Sequence, residues 1–188
     1  SADSPREVEK CSEHHRMHDL KLKHPERYST IFRETNDPKS KGSQTPVKST
    51  GLVYTIPVVF HILHTNGSEN ISDAQVSDAL AILNRDFRRL NSDANNVQTS
   101  FQGMPTDAEI NFVFATVAPN GNCFPGITRT VSATTNFGDD GQVQVDAVIA
   151  GNDVFQGIWP HNKYLNIYVC NDLGGAAGYT YLPNGGSA

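Results

Sequence analysis

Metal-ligating side chains crowd one short stretch near the N-terminus: EKCSEHHRMHDL carries Cys11, His14, His15, His18 and Asp19, with His24 soon after. A thiolate is a soft, strong zinc ligand and imidazole is its usual companion, so this grouping has the chemistry of a metal site. Its setting argues the other way. The stretch is almost wholly polar, where histidines are more often solvated and a single cysteine is more often a free surface thiol. His61 and His64 form a second pair, but a strand sends residues three apart to opposite faces, so they do not share a metal. Asp139 and Asp140 before Gly141 lack the ligand spacing of a calcium loop and read as a turn. The three cysteines, Cys11, Cys123 and Cys170, are too few for a disulfide framework and too scattered for a zinc ribbon, and their odd number leaves one unpaired.

The clearest scaffold for any chemistry is the stretch from Tyr54 to Asn91, which reads strand, turn, helix. Tyr54 to His64 has a nearly continuous apolar centre at Ile56, Val58, Val59, Phe60, Ile62 and Leu63, as a strand covered on both faces requires. Pro57 donates no ladder hydrogen bond, which places it at the start of the strand or against a sheet edge. After a turn over Thr65 to Asn70, Ser72 stands three residues before Gln75 in capping-box spacing. Val76, Ala79, Leu80, Leu83, Phe87 and Leu90 follow at helical intervals, which predicts a helix of about five turns packed on the sheet.

Downstream, Ala108 to Ala118 alternates as a strand, PNGNCFPG supplies turn chemistry, and Ile127 to Val131 is a short strand. Val145 to Phe155 reads as a second helix weakened by Gly151, and Lys163 to Asn171 is a strand. Residues 1 to about 50 are charged and poor in β-branched apolar residues, so they cannot build a core alone. Their last part, rich in Lys, Ser, Pro and Thr, reads as a linker. The 188 residues suffice for one domain plus an appended segment. A net charge of −5 gives no basic footprint for nucleic acid. No apolar run approaches the roughly 18 residues that cross a bilayer.

The order IPVVFHILH, a long helix containing LNRDFRRLN, AEINFVFAT, GITRT and YLNIYVCNDLGGAAGYTYLP resembles the pappalysin family of metzincin metalloproteases across residues 54 to 183. The resemblance implies an α/β fold in which an inhibitory prosegment and linker, residues 1–50, precede residues 51–188. These would form the upper, N-terminal subdomain of a metzincin catalytic domain, a twisted mixed sheet with backing helices. Family members carry H-E-x-x-H-x-x-G-x-x-H on the next helix, where three histidines bind zinc and the glutamate polarises water. The sequence has no such motif. The resemblance therefore implies a zinc-binding half beyond Ala188 as the partner of this chain, which alone is not expected to hydrolyse peptides.

By the same resemblance Cys11 is the zinc ligand of the latent form, with Asp19 as a rival, because a bound thiolate leaves the metal without its water. Gly174, Gly175, Ala176, Ala177, Gly178 and Tyr179 correspond to the exposed edge strand with which a substrate peptide pairs through its backbone. From the residues alone the same stretch is equally an ordinary glycine-rich turn. The resemblance implies zinc as cofactor and leaves room for calcium. It also implies peptide or protein substrates and secretion. In an oxidising compartment Cys123 and Cys170 pair with each other or with cysteines downstream. The competing function is a non-enzymatic binding module that reuses the half-fold and offers its sheet edge to a protein partner.

Overall fold

The computed structural model describes residues 51–136, 141–150, 159–174, 176–178 and 180, together with the single positions 22 and 25. Its centre is β1, Tyr54–His64, which pairs in parallel with β2 (Ile110–Phe114), β3 (Ile127–Val131) and β4 (Leu165–Val169). A strand has two edges and β1 has three neighbours, so two of them must share an edge. Hydrogen bonds identify which. Tyr54 and Phe60 donate to Glu109 and Gly126, while the carbonyls of Val58 and His64 accept from Ala115 and Ser132. All four are even-numbered positions, and in a parallel ladder alternate residues address opposite edges. β2 and β3 therefore lie end to end along one edge, opposite residues 54–58 and 60–64, and β4 takes the other.

This arrangement explains Pro57. An odd-numbered position faces the β4 edge, and β4 begins only opposite Val58. The missing N–H thus falls just before the ladder that would need it. The sheet expected to be mixed is parallel in all three described ladders, with one isolated antiparallel bridge, Val117 to Cys123.

Both faces of β1 are covered. Val58, Phe60 and Ile62 pack with Phe112 against Val76 and Leu80 of α1, Asp73–Phe87. Val59 and Leu63 pack on the opposite side with Ala115, Ala118, Trp159 and Val148 of α2, Gly141–Ala150. The capping box is formed, with Ser72 accepting from the Gln75 backbone and Gln75 reaching back to Ser72. α1 is shorter than its sequence suggests, about four turns. The chain leaves the helix at Arg88, Arg89 takes a positive φ of 54°, and Leu90, expected on the buried stripe, is 73 % exposed. α2 begins four residues before the predicted start, so Gly141 is helical; the predicted extension through Phe155 lies outside the described residues. No helix among the described residues is long and apolar enough to cross a membrane.

The outer edge of β2 is closed by a side chain. Phe112 N–H donates to Asn84 Oδ1 at 2.6 Å, and Asn84 Nδ2 donates to Phe112 O at 2.8 Å. One amide from α1 thus satisfies both backbone groups that an added strand would otherwise take. Asn84→Ala should lower stability by about 1–3 kcal/mol, since two half-buried bonds are lost. Asn84→Asp, which keeps the acceptor, should recover part of that in thermal unfolding.

Candidate functional site

The site is built where the chain leaves β4. Three segments meet there: the carboxyl end of β1, the 3₁₀ turn Ala133–Asn136, and the chain at Asn171 and Asp172. Thr135 joins them. Its hydroxyl donates to Leu63 O at 2.8 Å, and it receives Asn171 N on both Oγ1 (2.8 Å) and its carbonyl (3.0 Å), with Asp172 N also on that carbonyl at 3.0 Å. Gln144 of α2 adds a second tie, Nε2 donating to Thr134 O at 2.8 Å and Asp172 O at 3.2 Å. Beyond this anchor Gly174, with φ 67°, donates to Asp172 Oδ1 at 2.9 Å. Gly174, Ala177 and Gly178 are exposed and Ala176 is half-buried. None of these four is in a ladder: the stretch expected as an edge strand is turn, bend or irregular at its described positions, and Gly175 and Tyr179 lie outside them.

The histidines of β1 are structural. His61 is fully buried, stacked on Tyr168 with ring centroids 4.8 Å apart and edge-on to Trp159 at 5.7 Å. Asn166 Nδ2 donates to Trp159 O at 3.1 Å, which turns its Oδ1 toward His61 Nε2 at 3.0 Å. That nitrogen must carry the proton, so Nδ1 accepts from the Thr128 hydroxyl at 3.0 Å. Burial pushes the imidazole down to about 4, a shift only partly opposed by Asn166. His64 projects from the other face and accepts from Asn66 N–H at 3.2 Å. In the turn that follows, Glu69 Oε1 accepts from Thr65 N (2.6 Å), Thr65 Oγ1 (3.1 Å) and Gly67 N (3.2 Å). Bonds from the turn backbone, Thr65 first, hold its carboxyl at about 2.

The described residues do not fit a zinc centre. Both nitrogens of His61 are engaged in the core, and no three His, Cys, Asp or Glu among the described residues converge on a point. Cys11, His14, His15, His18, Asp19 and His24 lie outside the described residues, as do Asp139 and Asp140. Cys123 and Cys170, for which pairing with each other or with downstream cysteines was open, are both free thiols in the structure. Cys123 is exposed at the bridge to Val117, whereas Cys170 packs against the cluster around Trp159, where burial raises its thiol to about 11. A thiol so placed is a small apolar group, not a ligand or nucleophile at neutral pH. Sequence reading did not single out Thr135, Asn166, Gln144 or Asn84.

The chain is similar in sequence and fold to solved mirolysin and promirolysin structures. A promirolysin mutant from Tannerella forsythia is 34 % identical over 81 % of this chain, with a TM-score of 0.61. Mature mirolysin from the same organism, in complex with a cleaved peptide, is 39 % identical over 62 % of this chain, with a TM-score of 0.53. Mirolysin in complex with a small compound is 40 % identical over 65 %, with a TM-score of 0.55. The chain is related to the pappalysin-family metzincins. No family model matches it, and no curated protein sequence does. Its match spans 44 %, 42 % and 47 % of the mirolysin, mature mirolysin and promirolysin chains, so it corresponds to less than half of each.

Proposed function

We propose that this chain is the prosegment and substrate-binding upper subdomain of a latent, secreted zinc endopeptidase of pappalysin type. One observation carries the reading: coverage of the chain rises from 62 % against mature mirolysin to 81 % against promirolysin. The added match favours residues 1–50 as an inhibitory prosegment and linker and residues 51–188 as the subdomain. Zinc and its main ligands would belong to the remaining half of the protein, which is the partner of this chain. The stretch Gly174 to Tyr179 would pair with the backbone of an extended peptide, a role supported by its exposed small residues, among which another backbone can approach closely.

In this reading Cys11 keeps the enzyme latent. Its thiolate would occupy the metal position that otherwise holds water. The test is the rate of prosegment release from the complete protein. Cys11→Ser should speed release on the order of tenfold, because a neutral hydroxyl is a far poorer zinc ligand than a thiolate. Equal rates for wild type and variant would assign latency to Asp19 or to steric blockage.

A further inference from the structure

The outer edge of β2 lacks the devices that usually blunt a sheet edge. Its sequence, INFVF, has no charged residue and no proline, and every residue except Asn111 is β-branched or aromatic, a composition prone to pair with another chain. Parity shows which backbone groups are at stake. Glu109 O accepts from Tyr54 N–H and Ala115 N–H donates to Val58 O, so the odd-numbered positions address β1. The N–H and C=O groups of Ile110, Phe112 and Phe114 therefore point away from the sheet. Those of Ile110 and Phe114 bond no described residue, and those of Phe112 are both held by the Asn84 amide.

This row is self-complementary. With a second β2 laid antiparallel and Phe112 opposite Phe112, that pair and the two flanking pairs of Ile110 with Phe114 would all be of the hydrogen-bonded kind, in which two residues exchange both bonds. Every outward group would then have a partner. The two-fold axis of such a pair would pass through Phe112, the one position whose groups Asn84 holds.

We propose that the edge of β2 is a latent self-association surface masked by Asn84, and that the partner it would take is a second copy of this chain, paired antiparallel about Phe112. Asn84 supplies to Phe112 the donor and the acceptor that the second strand would otherwise bring. Because it does so at the central pair, it also keeps the flanking pairs from closing. One amide on α1 thereby keeps the chain monomeric where the sequence of β2 would favour pairing.

The test compares the full chain with two variants by light scattering over a range of concentrations, together with amide hydrogen exchange. Asn84→Ala removes the mask, and its mass should rise to twice that of the monomer with concentration while exchange at Phe112 slows over the same range. Asn84→Asp still accepts from Phe112 N–H but leaves a charge on the axis of the pair, so it should unfold at a lower temperature than the wild type and yet stay monomeric. A folded Asn84→Ala that remains monomeric overturns the proposal. Equal association of both variants also overturns it, since association would then follow from lost stability alone. So does a polydisperse aggregate in place of a dimer, or a wild type already dimeric through β2. Should Asn84→Ala fail to fold, Asn84→Ser, whose hydroxyl is too short to hold both groups of Phe112, is read in the same way.

Discussion

Gly126→Ala should destabilise the domain by about 3 kcal/mol, the sum of two separate costs. Gly126 has φ +84°, a region that costs a residue with a Cβ about 1–2 kcal/mol. It also sits where the chain, having left β2 and made its excursion, rejoins β1, with its carbonyl accepting from Phe60 N–H at 3.0 Å. A Cβ there would lie 2.6 Å from Cβ and Cδ1 of Phe114. Phe114 has little freedom to withdraw, since it ends β2 and its ring meets Phe60 edge-on at 6.1 Å. Overpacking of this kind typically costs about 1–3 kcal/mol. Gly121 supplies the control: its φ is +85°, but nothing lies within 4 Å of the added carbon, so Gly121→Ala carries the torsional cost alone. Thermal unfolding should separate the two variants clearly. Equal shifts would show that the contact with Phe114 relaxes at no cost.

Acid should weaken the fold through His61 before any carboxylate contributes. In the unfolded chain this imidazole titrates near 6.5; in the fold it is held at about 4 by burial. Above pH 6.5 both states are neutral and the group adds no pH dependence. As pH falls from 6.5 to about 4 the unfolded chain takes up a proton that the folded chain refuses. Stability then drops by about 1.4 kcal/mol per pH unit, about 3 kcal/mol in all. Glu69 acts in a lower window. Its depressed carboxyl favours the fold above its ordinary value of 4.5, and that contribution is lost as pH falls toward about 2. Denaturant unfolding at several pH values should show the upper limb, and His61→Phe should flatten it between 6.5 and 4. A limb that survives the substitution would assign it to another group.

The elements that could be read from the sequence are those specified by neighbours in the chain. The apolar run of β1, the Ser72 and Gln75 box and the strand Ile127–Val131 appear as expected because each signal is complete within a few residues. Leu90 misled because its spacing continues the helical stripe, although Arg89 has already turned the chain into a left-handed conformation. α2 starts early because Gly141, which looks like a turn residue, occupies the first helical position, where a glycine costs less than in the interior. The anchor of the candidate site was not legible. Thr135, Gln144 and Asn166 act on groups 10 to 105 positions away, through single hydrogen bonds that leave no periodicity. Parity along β1 did foretell that His61 and His64 face apart. It gave no hint that His61 would be locked between Thr128 and Asn166.

The three-neighbour strand has a consequence for how the protein is made. β1 is synthesised first among the described strands, yet Val58 meets its partner Leu165 more than 100 positions later in the chain. At about 5–20 residues per second the ribosome needs roughly 5–20 s to deliver β4 after β1 has emerged. Throughout that interval an 11-residue strand with one of the most apolar runs in the chain has an open edge. Pairings this distant in sequence are also slow to close once available. The nascent chain therefore passes through a period in which β1 is the natural site for chaperone capture or for self-association. That exposure ends only when Val169 has been added and the last ladder can form.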